Sequence, residues 1–317
     1  MYPSVRSFSV AITLALVVSV NSLEMLWAQA PKPRRARAPK FTEQSFPGVF
    51  FDDVKSQLVG SLPAVGPASA PTATAQQPTE APAANSDENI WKRRIDAATI
   101  EDLVKSAKTR LDPAVSSPAK FVGGGYQTAR RDFTILTVLF GVIEQYPGDV
   151  RWKHSAGRAK TDFARIAANA KVGSPPVYNE AKLKNQMFGD LLNGERLEAS
   201  KDNTDSWLDV ADRVALMQVL EWIVKENLNA AVANSGALTD GATNAREYAQ
   251  LAGVIGQVLV QKDMPDADAD EYKQWATEMM AACDQIVAGA NKPDLAQTRE
   301  AISRLDKSCN SCHETFR

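Results

Sequence analysis

From Leu295 to the end of the chain, apolar and cysteine residues recur in steps of three and four without a break: Leu295, Thr298, Ile302, Leu305, Cys309, Cys312 and Phe316. Those steps place every one of these side chains on one face of an α-helix. A helix of this kind is held mainly by covering that face, so other helices of the chain must pack against it. The face runs into two cysteines. Whatever they bind is therefore expected inside the helical assembly rather than on its surface.

The cysteines belong to Cys309-Asn310-Ser311-Cys312-His313. Two of the three cysteines of the chain and one of its two histidines stand in this stretch. C-x-x-C-H is the attachment pattern of c-type haem. Cys309 and Cys312, three apart on a helix, can present both sulfurs to one porphyrin edge, each thiol adding to a vinyl group to form a thioether. His313 then offers its imidazole to the iron as proximal ligand. Two other readings exist. A C-x-x-C pair also serves as a redox disulfide, but no βαβ pattern surrounds it. It also forms half of a zinc site, but only Cys283 and His154 remain as further ligands.

At 317 residues the chain has room for one or two domains, and its formal net charge of −2 argues against a nucleic-acid partner. Residues 1–30 read as an export signal: Arg6, then an apolar run from about Phe8 to Val20, then Ala28-Gln29-Ala30. An uncleaved membrane anchor is the alternative. Either way the body is expected in the periplasm or otherwise outside the cytoplasm. Residues 31–88 read as a disordered, Pro- and Ala-rich linker, too poor in apolar side chains to offset its ordering entropy.

Beyond Trp91 the pattern is helical throughout, and an all-α fold is expected. A first amphipathic stretch carries Leu103, Val104, Ala107 and Leu111, closed by Pro113 and Pro118, with Gly123-Gly124-Gly125 as a loop. Helices follow over about Gln127–Gln145, Val150–Lys171 and Tyr178–Leu192. The polar stretch 195–204 reads as a boundary between a haemless helical bundle, 91–195, and a haem-bearing one, 205–317. In the second, Asp205 caps a helix running to about Ala233, with Val210, Val214, Met217, Leu220, Val224 and Leu228 as one buried stripe. Ser235-Gly236 breaks it. Two helices follow, about Asn244–Gln261 and Asp270–Ala288. The latter buries Tyr272, Trp275 or Ala276, Met279, Cys283 and Ile286 and ends at Gly289. The last helix starts near Asp294. Four helices on short connections make an antiparallel four-helix bundle, an established host for cofactors.

Three features resemble cytochrome c′, the class II c-type cytochromes: the motif at the extreme C-terminus, its extension as C-x-x-C-H-x-x-F-R through Phe316 and Arg317, and the R-x-x-x-M element Arg213 to Met217. The resemblance covers about 205–317, with 91–195 at best a haemless copy. It implies one haem c held through Cys309 and Cys312, with His313 proximal. It places Met217 on the distal side, where a methionine either ligates the iron or only shields an open position. Met217 fits a bundle core equally well. Arg317 would lie near the proximal haem face, or simply complement the helix dipole. Many members are dimers through their first helices, and a homodimer is among the expectations. His154 reads as a surface residue, Cys283 as a buried, inert one, and Trp207, Trp222 and Trp275 as packing residues.

Three functions are open: an electron carrier working with redox partner proteins, a five-coordinate haem protein binding a diatomic gas such as NO or CO, and a haem-bearing interaction module. With no acid–base pair in view beside the motif, an enzyme is not expected.

Overall fold

The structure, a computed structural model, describes residues 89–198 and 206–316. The chain divides into two units, Met1–Gln77 and Pro78–Arg317, and every described residue lies in the second. The expected signal and linker, Asp205 and Arg317 lie outside the described residues.

Among the described residues the protein is all-helical, without strands. Eight longer helices run in order: α1 Ala97–Ala114, α2 Tyr126–Gln145, α3 Ala156–Asn169, α4 Pro175–Leu192, α5 Arg213–Trp222, α6 Ser235–Leu259, α7 Asp270–Asn291 and α8 Leu295–Thr315. Asp96 caps α1 by accepting from Thr99 N at 2.8 Å, and the expected stripe of Leu103, Val104, Ala107 and Leu111 is fully buried. Pro113 sits inside the last turn of α1 rather than beyond it. The glycine triplet is a kink rather than an open loop: the short turn from Phe121 meets the start of α2 across Gly124, which at φ +126° is non-helical, a conformation suited to glycine. From Asp132 to Ile143 every residue of α2 is buried, because α1, α3 and α5 all pack against this helix.

The second half departs from one long helix capped by Asp205. A single turn, Trp207–Val210, is followed by extended backbone at Ala211, and α5 starts anew with Asp212 accepting from Ala215 N at 2.8 Å. After Trp222 the helix widens into a π-turn over Ile223–Leu228 and ends with Asn229–Ala231. Trp222 O, displaced from the regular ladder, accepts from Asn227 Nδ2 at 3.1 Å. Asn234 caps α6, so Ser235 opens that helix instead of breaking the one before. Val214, expected in the buried stripe, is 62 % exposed.

The segment from α5 to Ala231 packs on α6, α6 on α7, and α7 on α8. Arg299 of α8 donates from Nε to Val232 O at 2.9 Å and from Nη2 to Ala233 O at 2.7 Å, which ties the first turns of α8 to the end of that segment. Residues from both halves share one apolar core. Polar links cross as well: Arg94 with Asp284 at 2.9 Å and Arg246 with Asp96 at 3.0 Å. Trp91 meets Trp207 with ring centroids 5.1 Å apart. Between α1, α2 and the end of α5, the fully buried Asp132 accepts from Arg110 Nε at 2.6 Å and Arg131 Nη2 at 2.9 Å. Both guanidinium groups also lie over the Trp222 ring, a contact worth about 0.5–2 kcal/mol each.

Gly289, expected to end a helix, lies within α7 at its crossing with α8. A Cβ there would stand 2.5 Å from Thr298 Oγ1, whose hydroxyl is committed to Asp294 O at 2.7 Å. Gly289→Ala should therefore destabilise the protein by about 1–3 kcal/mol through overpacking, measured as a lowered denaturation midpoint with an unchanged m-value.

Candidate cofactor site

The register of α8 decides the site. Asp294 caps the helix by accepting from Gln297 N at 3.0 Å. Thr298, Ile302 and Leu305 then point into the core. Continuing the same face, Cys309 and Cys312 arrive partly buried where the helices part around a cavity of about 560 Å³. Both cysteines line it. His313 lines it too from a more exposed position on the last turn.

The facing wall is α5 and its extension, which contribute Val214, Met217, Gln218, Glu221 and Val224. The exposure of Val214 is thereby explained: its side chain is part of the cavity wall. Tyr272, Trp275 and Met279 of α7 close a third side. Met217 and the C-x-x-C-H residues, far apart in sequence, thus line one volume. Arg213 does not line the cavity; it forms an ion pair with Asp266 that holds its guanidinium above its ordinary pKa. Phe316 packs edge-on against Tyr272 with centroids 5.2 Å apart.

Burial sets the electrostatics. It pushes the Cys309 thiol up to about 11 and raises the pKa of the Cys312 thiol and of the Tyr272 phenol. Cys283 is buried on the face of α7 turned to the core, its thiol raised far above the ordinary range, as expected of an inert residue. Among the described residues no group of three or more His, Cys, Asp or Glu comes together as a metal site. His154 stands in a short 3-10 turn before α3 and does not line the cavity.

The lining fits a haem. Most of the wall is apolar, and the volume falls within the ~300–1,000 Å³ common for cofactor pockets. Tyr272 and Trp275 line the wall, but their polar atoms, Tyr272 Oη beside the Arg213 guanidinium and Trp275 Nε1, are shut off from the cavity and have no normal hydrogen bond among the described residues. Sequence periodicity had placed Tyr272 and Trp275 in the stripe of α7 but read them as packing residues. That both residues line a cavity is a tertiary fact the spacing does not carry.

Residues 266–317, covering α7 and α8, match the family described as cytochrome C′. The match supports a haem-binding c-type cytochrome. The Arg213–Met217 element lies outside the matched residues. No curated protein and no solved structure matches the chain.

In the haem-free chain, the raised Cys309 pKa should leave about 100-fold less thiolate at neutral pH than an unfolded cysteine titrating at 9.0. Alkylation of Cys309 by iodoacetamide, followed by peptide mass spectrometry, should accelerate by about that factor on unfolding. Linkage has the matching sign. Between pH 9 and 11 the unfolded thiol ionises while the folded one does not, so the haem-free protein loses stability as pH rises through that window.

Proposed function

We propose that this protein is an exported, single-haem c-type cytochrome that carries electrons. Helices α5 to α8 form the four-helix bundle that holds the haem. Cys309 and Cys312 bind it covalently and His313 is the proximal ligand. Met217 is the sixth ligand. The observation that carries the reading is the placement of Met217 on α5 and His313 on α8 along the walls of one cavity. Bound there, haem supplies an iron that gains and loses one electron, and histidine–methionine ligation raises its potential. The chain's own contribution is to bury the group among Val214, Leu220, Val224 and Met279, with the side chains of Tyr272 and Trp275 closing a further side. Export to the periplasm accords with covalent haem attachment, which takes place there in bacteria. No acid or base is needed, because the role is electron exchange with redox partner proteins rather than turnover of a substrate.

A second reading, binding of a diatomic gas, is favoured by the apolar neighbours of Met217. With Met217 shielding rather than ligating, that wall would exclude water and admit NO or CO.

The two readings separate spectroscopically. The protein is expressed with haem-maturation machinery, and oxidised, reduced and CO-treated spectra are compared for the wild type and Met217→Ala. Electron transfer is supported by a low-spin spectrum indifferent to CO that becomes high-spin in the variant. A high-spin, CO-responsive wild type, unchanged in character by the substitution, selects gas binding. Failure to find covalent haem overturns both.

A further inference from the structure

Helix α5 is a wall with two working faces. One presents Met217, Glu221 and, within the π-turn, Val224 to the cavity. Trp222, five residues after Met217, lies about 140° around the helix and faces the other way. There it is gripped. Arg131 Cζ lies 4.2 Å and Arg110 Cζ 5.1 Å from the centre of its ring. Both arginines are held in place by the buried Asp132. Arg110 Nη1 also donates to Tyr248 Oη at 3.2 Å, and the Tyr248 ring meets Trp222 edge-on at 5.2 Å. Arg110 Nη2 and Arg131 Nε, both buried, have no hydrogen-bond partner among the described residues, while both guanidinium groups lie over the indole.

The grip falls at a particular point. Trp222 is the last residue of α5 before the π-turn. A π-turn is where a helix carries one residue more than the α repeat, and such turns concentrate at functional sites. Helix rotation is least constrained by the backbone ladder there, so a fixed side chain at that position sets the angle of what precedes it. Arg110, Arg131 and Asp132 all come from the haemless half.

We propose that Arg110, Asp132 and Arg131 are positioning residues which, by clamping Trp222, set the rotation of α5 and so the placement of Met217 in the cavity. The haemless half thereby acts on the iron site without touching it. This rests on the proposed haem site for its consequence, but the clamp itself concerns only the chain.

The test uses the full chain with Arg131→Gln and Trp222→Phe, the latter keeping an aromatic ring in case the former does not accumulate. The first readout is the ¹³C-methyl resonance of Met217, which is available whether or not haem is attached. It should move in both variants and stay in place in the surface control Lys105→Gln. The second is CO affinity of the haem-loaded protein. If the clamp keeps Met217 on the iron for all but a small fraction of the time and its loss raises that open fraction about fivefold, CO binds about fivefold more tightly. In a Met217→Ala background the same substitutions should have no effect. An unmoved methyl resonance overturns the clamp. So does a CO effect of equal size with and without Met217, which marks general loosening. A wild type without covalent haem overturns the haem reading and leaves the methyl result to decide the clamp.

Discussion

A carboxylate that gives up all its water costs several kcal/mol unless cations and hydrogen bonds replace it. Asp132 is in that position, and two arginines meet the requirement, one from its own helix and one from α1. The arginines in turn carry charge into the interior, and they spend it on the face of Trp222 and the hydroxyl of Tyr248. Removing Asp132 would leave both arginines without their carboxylate, and removing either arginine would leave Asp132 with one cation in place of two. The contact between the first four helices and the last four therefore has a polar centre that allows few alternatives, set within an apolar core that would by itself tolerate sliding.

That polar centre also explains the limits of reading this chain from its residues. Helix existence was legible almost everywhere, because burial in a helical protein imposes steps of three and four. The stripe of α1, that of α7 and the face of α8 all appear in the structure as the spacing predicts. The interruptions were not legible. Nothing in the local sequence distinguishes Ala211, where the chain is extended, from a helical alanine, and the actual cap, Asp212, lies seven residues from the expected one. The π-turn after Trp222 is likewise silent, since it follows from packing and from Asn227 reaching back to a freed carbonyl. Periodicity assumes a uniform helix, and both errors lie where uniformity fails.

The candidate site divides along the same line. Cys309, Cys312 and His313 were legible because their chemistry dictates their spacing. Met217 was reached only through resemblance, and its meeting with them in one cavity is a tertiary fact. Val214 shows why an exposed apolar residue on a bundle helix can mark a binding wall instead of a flaw in packing.

The π-turn over Ile223–Leu228 has an evolutionary consequence. A π-turn absorbs one extra residue, so deleting one there would restore a regular α-helix and leave the segments on either side in place. Only the residues within the turn, Val224 and Lys225 among them, would change which of them meets the cavity. A single codon lost or gained at this point therefore alters one strip of the lining while the rest of the helix keeps its register.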